Sequence, residues 1–79
     1  MKVLFFGRLK ELTGHAEDSL EFADAGTIEQ LFALYAARHP DLAQYRSSVV
    51  ASRNQEFAAW DTRLRSGDEV AFLPPVSGG

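Results

Sequence analysis

Residues 2–7 open the chain with a nearly unbroken apolar run, Val3-Leu4-Phe5-Phe6. Such a run reads as a strand that is covered on both faces or offers one face to a partner. Residues 8–18 are mostly polar, carry Gly14 and read as a connection. In residues 19–23, Leu20 and Phe22 alternate with Ser19, Glu21 and Ala23, the period-2 pattern of a half-buried strand. Asp24-Ala25-Gly26 follows as a turn. Thr27-Ile28-Glu29-Gln30 then fits a capping box, and Ile28, Leu31, Phe32 and Tyr35 recur at helical spacing along one face. Pro40 stops that helix near Arg38-His39, because a residue before proline avoids the helical region.

Residues 41–48 are polar and irregular. Val49-Val50-Ala51-Ser52-Arg53 reads as a strand, Asn54-Gln55-Glu56 as a turn and Phe57-Ala58-Ala59-Trp60 as a second short strand. Leu64 falls in a loop leading to a turn at Arg65-Ser66-Gly67-Asp68. The final strand is Glu69-Val70-Ala71-Phe72-Leu73, stopped by Pro74-Pro75. The order β-β-α-β-β-β predicts an α+β domain with one helix on one sheet face. The two most apolar strands, first and last, are candidates for central neighbours.

A chain of 79 residues holds one domain, and its 46% hydrophobic and 24% charged content excludes a disordered chain. Cysteine is absent, which removes disulfides, thiolate chemistry and cysteine-based metal sites and points to the cytoplasm. No run is long enough for a signal peptide or a membrane span. The net charge is −3, and the eight basic residues are dispersed along the chain, so no cationic face for nucleic acid is expected.

Side-chain chemistry is thin. His15 sits in the expected loop and His39 at a helix end, neither with neighbours at metal-ligand spacing, so no metal site is expected. Gly7, Gly14, Gly26 and Gly67 stand singly and read as turn residues rather than a phosphate loop. Asp68-Glu69 reads as a turn followed by a solvated strand start, not a paired-carboxylate site. Phe5, Phe22, Phe32, Trp60 and Phe72 occupy positions expected to face the core.

The last six residues, Pro74-Pro75-Val76-Ser77-Gly78-Gly79, have a different character. Two glycines would close a chain by chance in about one sequence in two hundred, so the pair needs a physical argument. A backbone carrying only hydrogens is as thin as a polypeptide can be and reaches φ/ψ values closed to other residues. It can thread a narrow channel and present a carboxyl group inside a partner's active site. A carboxylate is a poor electrophile, so the partner would first convert it to an acyl-adenylate; a nucleophile could then take the acyl group or place sulfur on it. Pro74-Pro75 stiffens the approach and limits the entropy lost on docking.

The run Lys2-Val3-Leu4-Phe5-Phe6, the segment Gly67-Asp68-Glu69-Val70-Ala71-Phe72-Leu73-Pro74-Pro75-Val76 and the ending Ser77-Gly78-Gly79 closely resemble the small-subunit family of molybdopterin synthase. The Thr27-capped helix and the Asn54-Gln55 turn extend the resemblance over essentially the whole chain. It implies a ubiquitin-like β-grasp fold: α+β, a mixed sheet with one main helix packed on one face. Residues 1–75 would form the domain and residues 76–79 a flexible Gly-Gly tail.

The resemblance further implies a sulfur carrier that is not catalytic by itself. An E1-like adenylyltransferase, the component that binds the nucleotide, would use ATP to activate the Gly79 carboxyl, which becomes a thiocarboxylate. The tail residues Gly78, Ser77 and Val76 would carry it into the large subunit of molybdopterin synthase, in a heterotetramer of two small and two large subunits. There the sulfur would pass to cyclic pyranopterin monophosphate to build the dithiolene. No cofactor is expected on the chain itself. Strand periodicity puts Val3, Phe5, Val70 and Phe72 on the helix side and Leu4, Phe6, Glu69, Ala71 and Leu73 on the other. With Phe57 from the neighbouring strand, Phe6 and Leu73 are expected to form a docking patch beside Pro74 and Pro75. Related carriers for thiamine or tRNA thiolation, and a modifier conjugated to lysine, share the tail and its activation and stay open as alternatives. A plain interaction module with an idle tail is a further one.

Overall fold

The computed structural model describes residues 1–21 and 26–74. Its elements are β1 (Lys2–Phe5), α1 (Arg8–Thr13), β2 (Glu17–Ser19), α2 (Ile28–Arg38), a 3-10 helix (Pro40–Tyr45), β3 (Val50–Arg53), β4 (Glu56–Ala58) and β5 (Glu69–Leu73). The five strands form one sheet in the order β2-β1-β5-β3-β4. β1 and β5 run parallel at its centre, with Val3 beside Val70 and Phe5 beside Phe72, and the remaining pairs are antiparallel. The first and last strands are central neighbours, as their apolar character suggested. The sheet is mixed, with α2 packed on one face.

The capping box forms as the residues predict. The Thr27 hydroxyl accepts from the Gln30 amide at 3.2 Å, and the Thr27 amide donates to Gln30 Oε1 at 2.9 Å. Two donors that a helix start leaves unpaired are thereby satisfied. Ile28, Leu31, Phe32 and Tyr35 are buried along one stripe of α2. That stripe meets Val3, Phe5, Val70 and Phe72 from the central strands, and the four belong to the same buried cluster. Phe72 stacks on Phe5 with centroids 5.8 Å apart and meets Phe32 edge-on at 5.2 Å, geometries aromatic rings favour. Trp60 stacks on Phe72 from the other side, and the Arg46 guanidinium lies 3.6 Å above the indole ring.

Several elements depart from the sequence expectation. Residues 8–13 are helical rather than a plain connection: Leu9 is fully buried, Leu12 packs on the core, and the helix ends at a left-handed Gly14. Leu9, Leu12 and Gly14 carried that signal, but six residues are too short for a period of 3.6 to show. β1 ends at Phe5, because the chain turns at Gly7 into α1. β2 begins earlier than expected, at Glu17, since its register is set by pairing Leu4 with Glu17 and Lys2 with Ser19. The pairing continues to a hydrogen bond between the Leu20 amide and the Met1 carbonyl. The expected strand residues Phe22 and Ala23 lie outside the described residues.

Residues 40–45 form a 3-10 turn because Leu42 inserts completely into the core, pulling a polar stretch tight against α2. The hairpin turn is Asn54-Gln55 alone, with Glu56 already in β4, and Trp60 falls beyond that strand. Tyr35 ties α2 to β2 by donating to Asp18 Oδ2 at 2.9 Å. Burial, reinforced by that carboxylate, pushes the phenol above its ordinary pKa, so it remains a donor. Among the described residues no helix is long and apolar enough to cross a membrane.

Candidate functional site: an apolar sheet face beside the chain exit

Alternation along the strands puts one set of side chains under α2 and the other on the open face. Leu4, Phe6, Ser52, Gln55, Phe57, Glu69, Ala71 and Leu73 line a concavity there of about 410 Å³. Phe57 is 80% exposed and Phe6 45%, far more than a core aromatic tolerates. Val50, 43% exposed, stands opposite Leu73 and extends the apolar surface. The face also carries polar groups: Ser52, Gln55 and Glu69 line the concavity, and Lys2 and Glu17 approach to 3.9 Å in an exposed and therefore weak pair. An apolar surface of this kind on a small domain marks a place where another molecule sits.

The parallel pairing of β1 with β5 decides where that surface lies relative to the chain exit. Parallel strands finish at the same sheet edge, so Phe6 and Leu73 come together there. The Phe6 amide carries the ladder one step further by donating to the Phe72 carbonyl at 3.2 Å. Pro74 then packs on Gly7. A Cβ on Gly7 would meet the Pro74 Cγ at 2.8 Å, and Gly7 holds φ +55°, so glycine satisfies both the close approach and the backbone conformation. Of the residues expected in the site, Phe6, Phe57 and Leu73 line one concavity, and Pro74 lies against Gly7 at the end where β1 and β5 finish. Pro75, Val76, Ser77, Gly78 and Gly79 lie outside the described residues, as does the domain limit expected at residue 75.

Asp68 closes the turn expected at 65–68, just before the strand start at Glu69, but it is buried rather than solvated, at only 7% exposed. Its carboxylate accepts from Arg53 Nε at 2.8 Å, from the Arg65 amide at 2.7 Å and from Asn54 Nδ2 at 3.1 Å. Asn54 closes the clamp from its own side: its Oδ1 accepts from the Glu69 amide at 2.9 Å, and its amide donates to the Glu69 carbonyl at 2.7 Å. The β3–β4 turn is thereby fastened to the start of β5, which sets the wall of the concavity that carries Gln55 and Phe57. Burial alone would push the Asp68 carboxyl up, but the hydrogen bonds from Arg53, the Arg65 amide and Asn54 outweigh it and hold the group below its ordinary value.

A carboxyl depressed in the folded state adds stability that is fully present above the unfolded value of about 3.9 and is lost as pH falls through the folded value. The melting-temperature gap between the wild type and Asp68→Asn should therefore narrow as pH falls from about 5 toward 2. Melts followed by circular dichroism at stepped pH check this; a constant gap would show that Asp68 contributes nothing through its charge.

Among the described residues, no group of histidine and acidic side chains could hold a metal ion. His39 caps the C-terminus of α2 and His15 is exposed, so neither approaches the apolar face. What the site presents is an exposed apolar concavity with the last described strand, β5, ending beside it.

Residues 3–79 match the ThiS family. The chain belongs to the ThiS family. It is 43% identical to the molybdopterin synthase sulfur carrier subunit of Escherichia coli (strain K12), over all of this chain and 99% of that protein. It is 38% identical to the protein of the same name from Chlamydomonas reinhardtii, over all of this chain and 98% of that one. In structure it is similar to SAMP1 from Haloferax volcanii, with a TM-score of 0.80, 26% identity and 99% and 97% of the two chains covered. This ThiS-family chain has the β-grasp architecture that the family resemblance implied.

The lining residues Ser52 and Gln55, together with Val50 beside Leu73 and the clamp residue Asp68, were not among the expected docking residues. Val50 was readable from its alternation with buried Val49; the other three depend on which strands become neighbours.

Proposed function

We propose that this ThiS-family chain is the sulfur carrier and small subunit of a molybdopterin synthase, with the Gly79 carboxyl as the point of sulfur attachment. The observation that carries the reading is the pairing of an apolar, solvent-facing sheet face with a chain exit at its edge, in a protein 38–43% identical to molybdopterin synthase sulfur carrier subunits. The family match running through residue 79 supports a role for the Gly-Gly end.

In this reading an adenylating partner docks on Phe6, Phe57, Leu73 and Pro74, and the residues from Pro75 onward reach its active site. The Gly79 carboxylate attacks the α-phosphate of ATP, forming an acyl-adenylate and releasing pyrophosphate. A sulfur nucleophile displaces AMP, leaving a thiocarboxylate. The same face then docks on the large subunit, which supplies the catalytic side chains for sulfur transfer to the pterin. One surface serves two partners in turn because both must engage the same tail.

Incubation with an adenylating enzyme, ATP and a sulfur donor should give a species heavier by one oxygen-to-sulfur exchange at Gly79, read by intact mass and fragment spectra. An unchanged mass under conditions that load an authentic carrier would overturn the reading. Conjugates to lysine side chains that depend on Gly79 would instead indicate a protein modifier. Thiolated tRNA or thiazole formed in preference to the dithiolene would indicate a carrier for those pathways.

A further inference from the structure

The β3–β4 connection is a two-residue turn, with Arg53 paired to Glu56 across it. Asn54 holds φ +52° and Gln55 φ +71°. A hairpin turn with positive φ at both central positions matches the right-handed twist of its strands and favours asparagine followed by glycine. Asn54 conforms, and its side chain is used in the Asp68 clamp. Gln55 does not conform. Its Cβ crowds the backbone in the left-handed region, a penalty glycine escapes.

The β3–β4 ladder and the Asn54 clamp hold the turn, but the Gln55 side chain itself returns nothing for that penalty. The Asn54 amide and side chain make the clamp, while among the described residues no hydrogen bond engages the Gln55 amide group. Gln55 is exposed and lines the apolar concavity with Leu4, Phe6 and Phe57. Residues held in sparsely populated conformations gather where a side chain is needed for function. A primary amide offers one acceptor and two donors, the complement of a peptide group. Covered by a partner on a face whose other polar lining residues are Ser52 and Glu69, it penalises any partner that leaves it unpaired.

We propose that Gln55 is a recognition residue of the docking face, whose side-chain amide pairs with a backbone peptide group of the large subunit covering the concavity. The apolar side chains provide the buried area, and Gln55 fixes the orientation in which that area is buried. This rests on the sulfur-carrier reading above.

The test compares the full-length wild type with Gln55→Gly and Gln55→Met, measuring melting temperature and, by titration calorimetry, affinity for a molybdopterin synthase large subunit. Gln55→Gly should melt at the wild-type temperature or a few degrees higher and bind about fivefold more weakly or worse. Gln55→Met keeps the length and the backbone penalty without the amide; it should melt as the wild type does and bind as weakly as the glycine variant. Wild-type affinity in either variant would overturn the proposal while leaving the carrier reading intact. A lower melting temperature for Gln55→Gly would make Gln55 a structural residue and overturn it equally. Failure of the wild type itself to bind the large subunit would remove the carrier reading and this inference together.

Discussion

Deleting Gly79 should abolish dithiolene formation and leave the thermal stability of the domain where it was. The variant still ends in a glycine carboxylate, so the chemistry of activation is formally available to it. What it lacks is reach. One extended residue spans about 3.3–3.6 Å, and a reacting group misplaced by about 1 Å already forfeits on the order of a hundredfold in rate. The docking face cannot slide to compensate, because the Gly7–Pro74 contact and the β1–β5 ladder fix where the chain leaves the sheet. Stability should hold because the buried cluster among the described residues runs from Val3 to Phe72. Pterin conversion with the large subunit and a sulfide-regenerating system reads the activity, and a melt reads the fold. Product formed at the wild-type rate would sink the assignment of Gly79 as the attachment point.

Two phenylalanines should respond oppositely to the same truncation. Phe72 is fully buried, with Phe5, Phe32 and Trp60 around it. Phe72→Ala removes those contacts and leaves a cavity, at about 3–5 kcal/mol. At 79 residues, a total stability of about 4–12 kcal/mol is expected from 0.05–0.15 kcal/mol per residue. The variant therefore loses a large fraction of its stability, visible as a collapse of the denaturant midpoint. Phe57, 80% exposed, gives up almost nothing when cut back in the free protein, and Phe57→Ala should stay within about 0.5 kcal/mol of the wild type. Its loss appears on docking instead, at about 2 kcal/mol, or roughly thirtyfold in affinity for the large subunit. Equal destabilisation by the two substitutions would mean that Phe57 belongs to the core; unchanged docking by Phe57→Ala would remove it from the interface.

Much of this molecule was legible in its residues because much of it is governed by local rules. Thr27 and Gln30 are three positions apart, and a capping box needs nothing beyond the helix it caps. Ile28, Leu31, Phe32 and Tyr35 share a face through the pitch of an α-helix alone. The inward Val3, Phe5, Val70 and Phe72 and the outward Leu4, Phe6, Ala71 and Leu73 follow from the two-residue period of a strand. That period predicted most of the docking face. α1 was hidden because its six residues complete fewer than two turns, and the 3-10 segment because Leu42 is its one fully buried residue, with Tyr45 only partly buried beside it.

Tertiary structure alone decided the rest. Asp68 looked solvated because its partners Arg53 and Asn54 stand 15 and 14 residues away in the chain, and no periodicity reports an approach of that kind. The same pairing of β3 beside β5 placed Ser52 and Gln55 in the concavity. The sequence by itself determined which residues each strand and helix offers to either side, since side-chain direction follows from backbone geometry one element at a time. The fold decided which of those faces meet, because strand order and register are set by the summed burial of residues far apart in the chain.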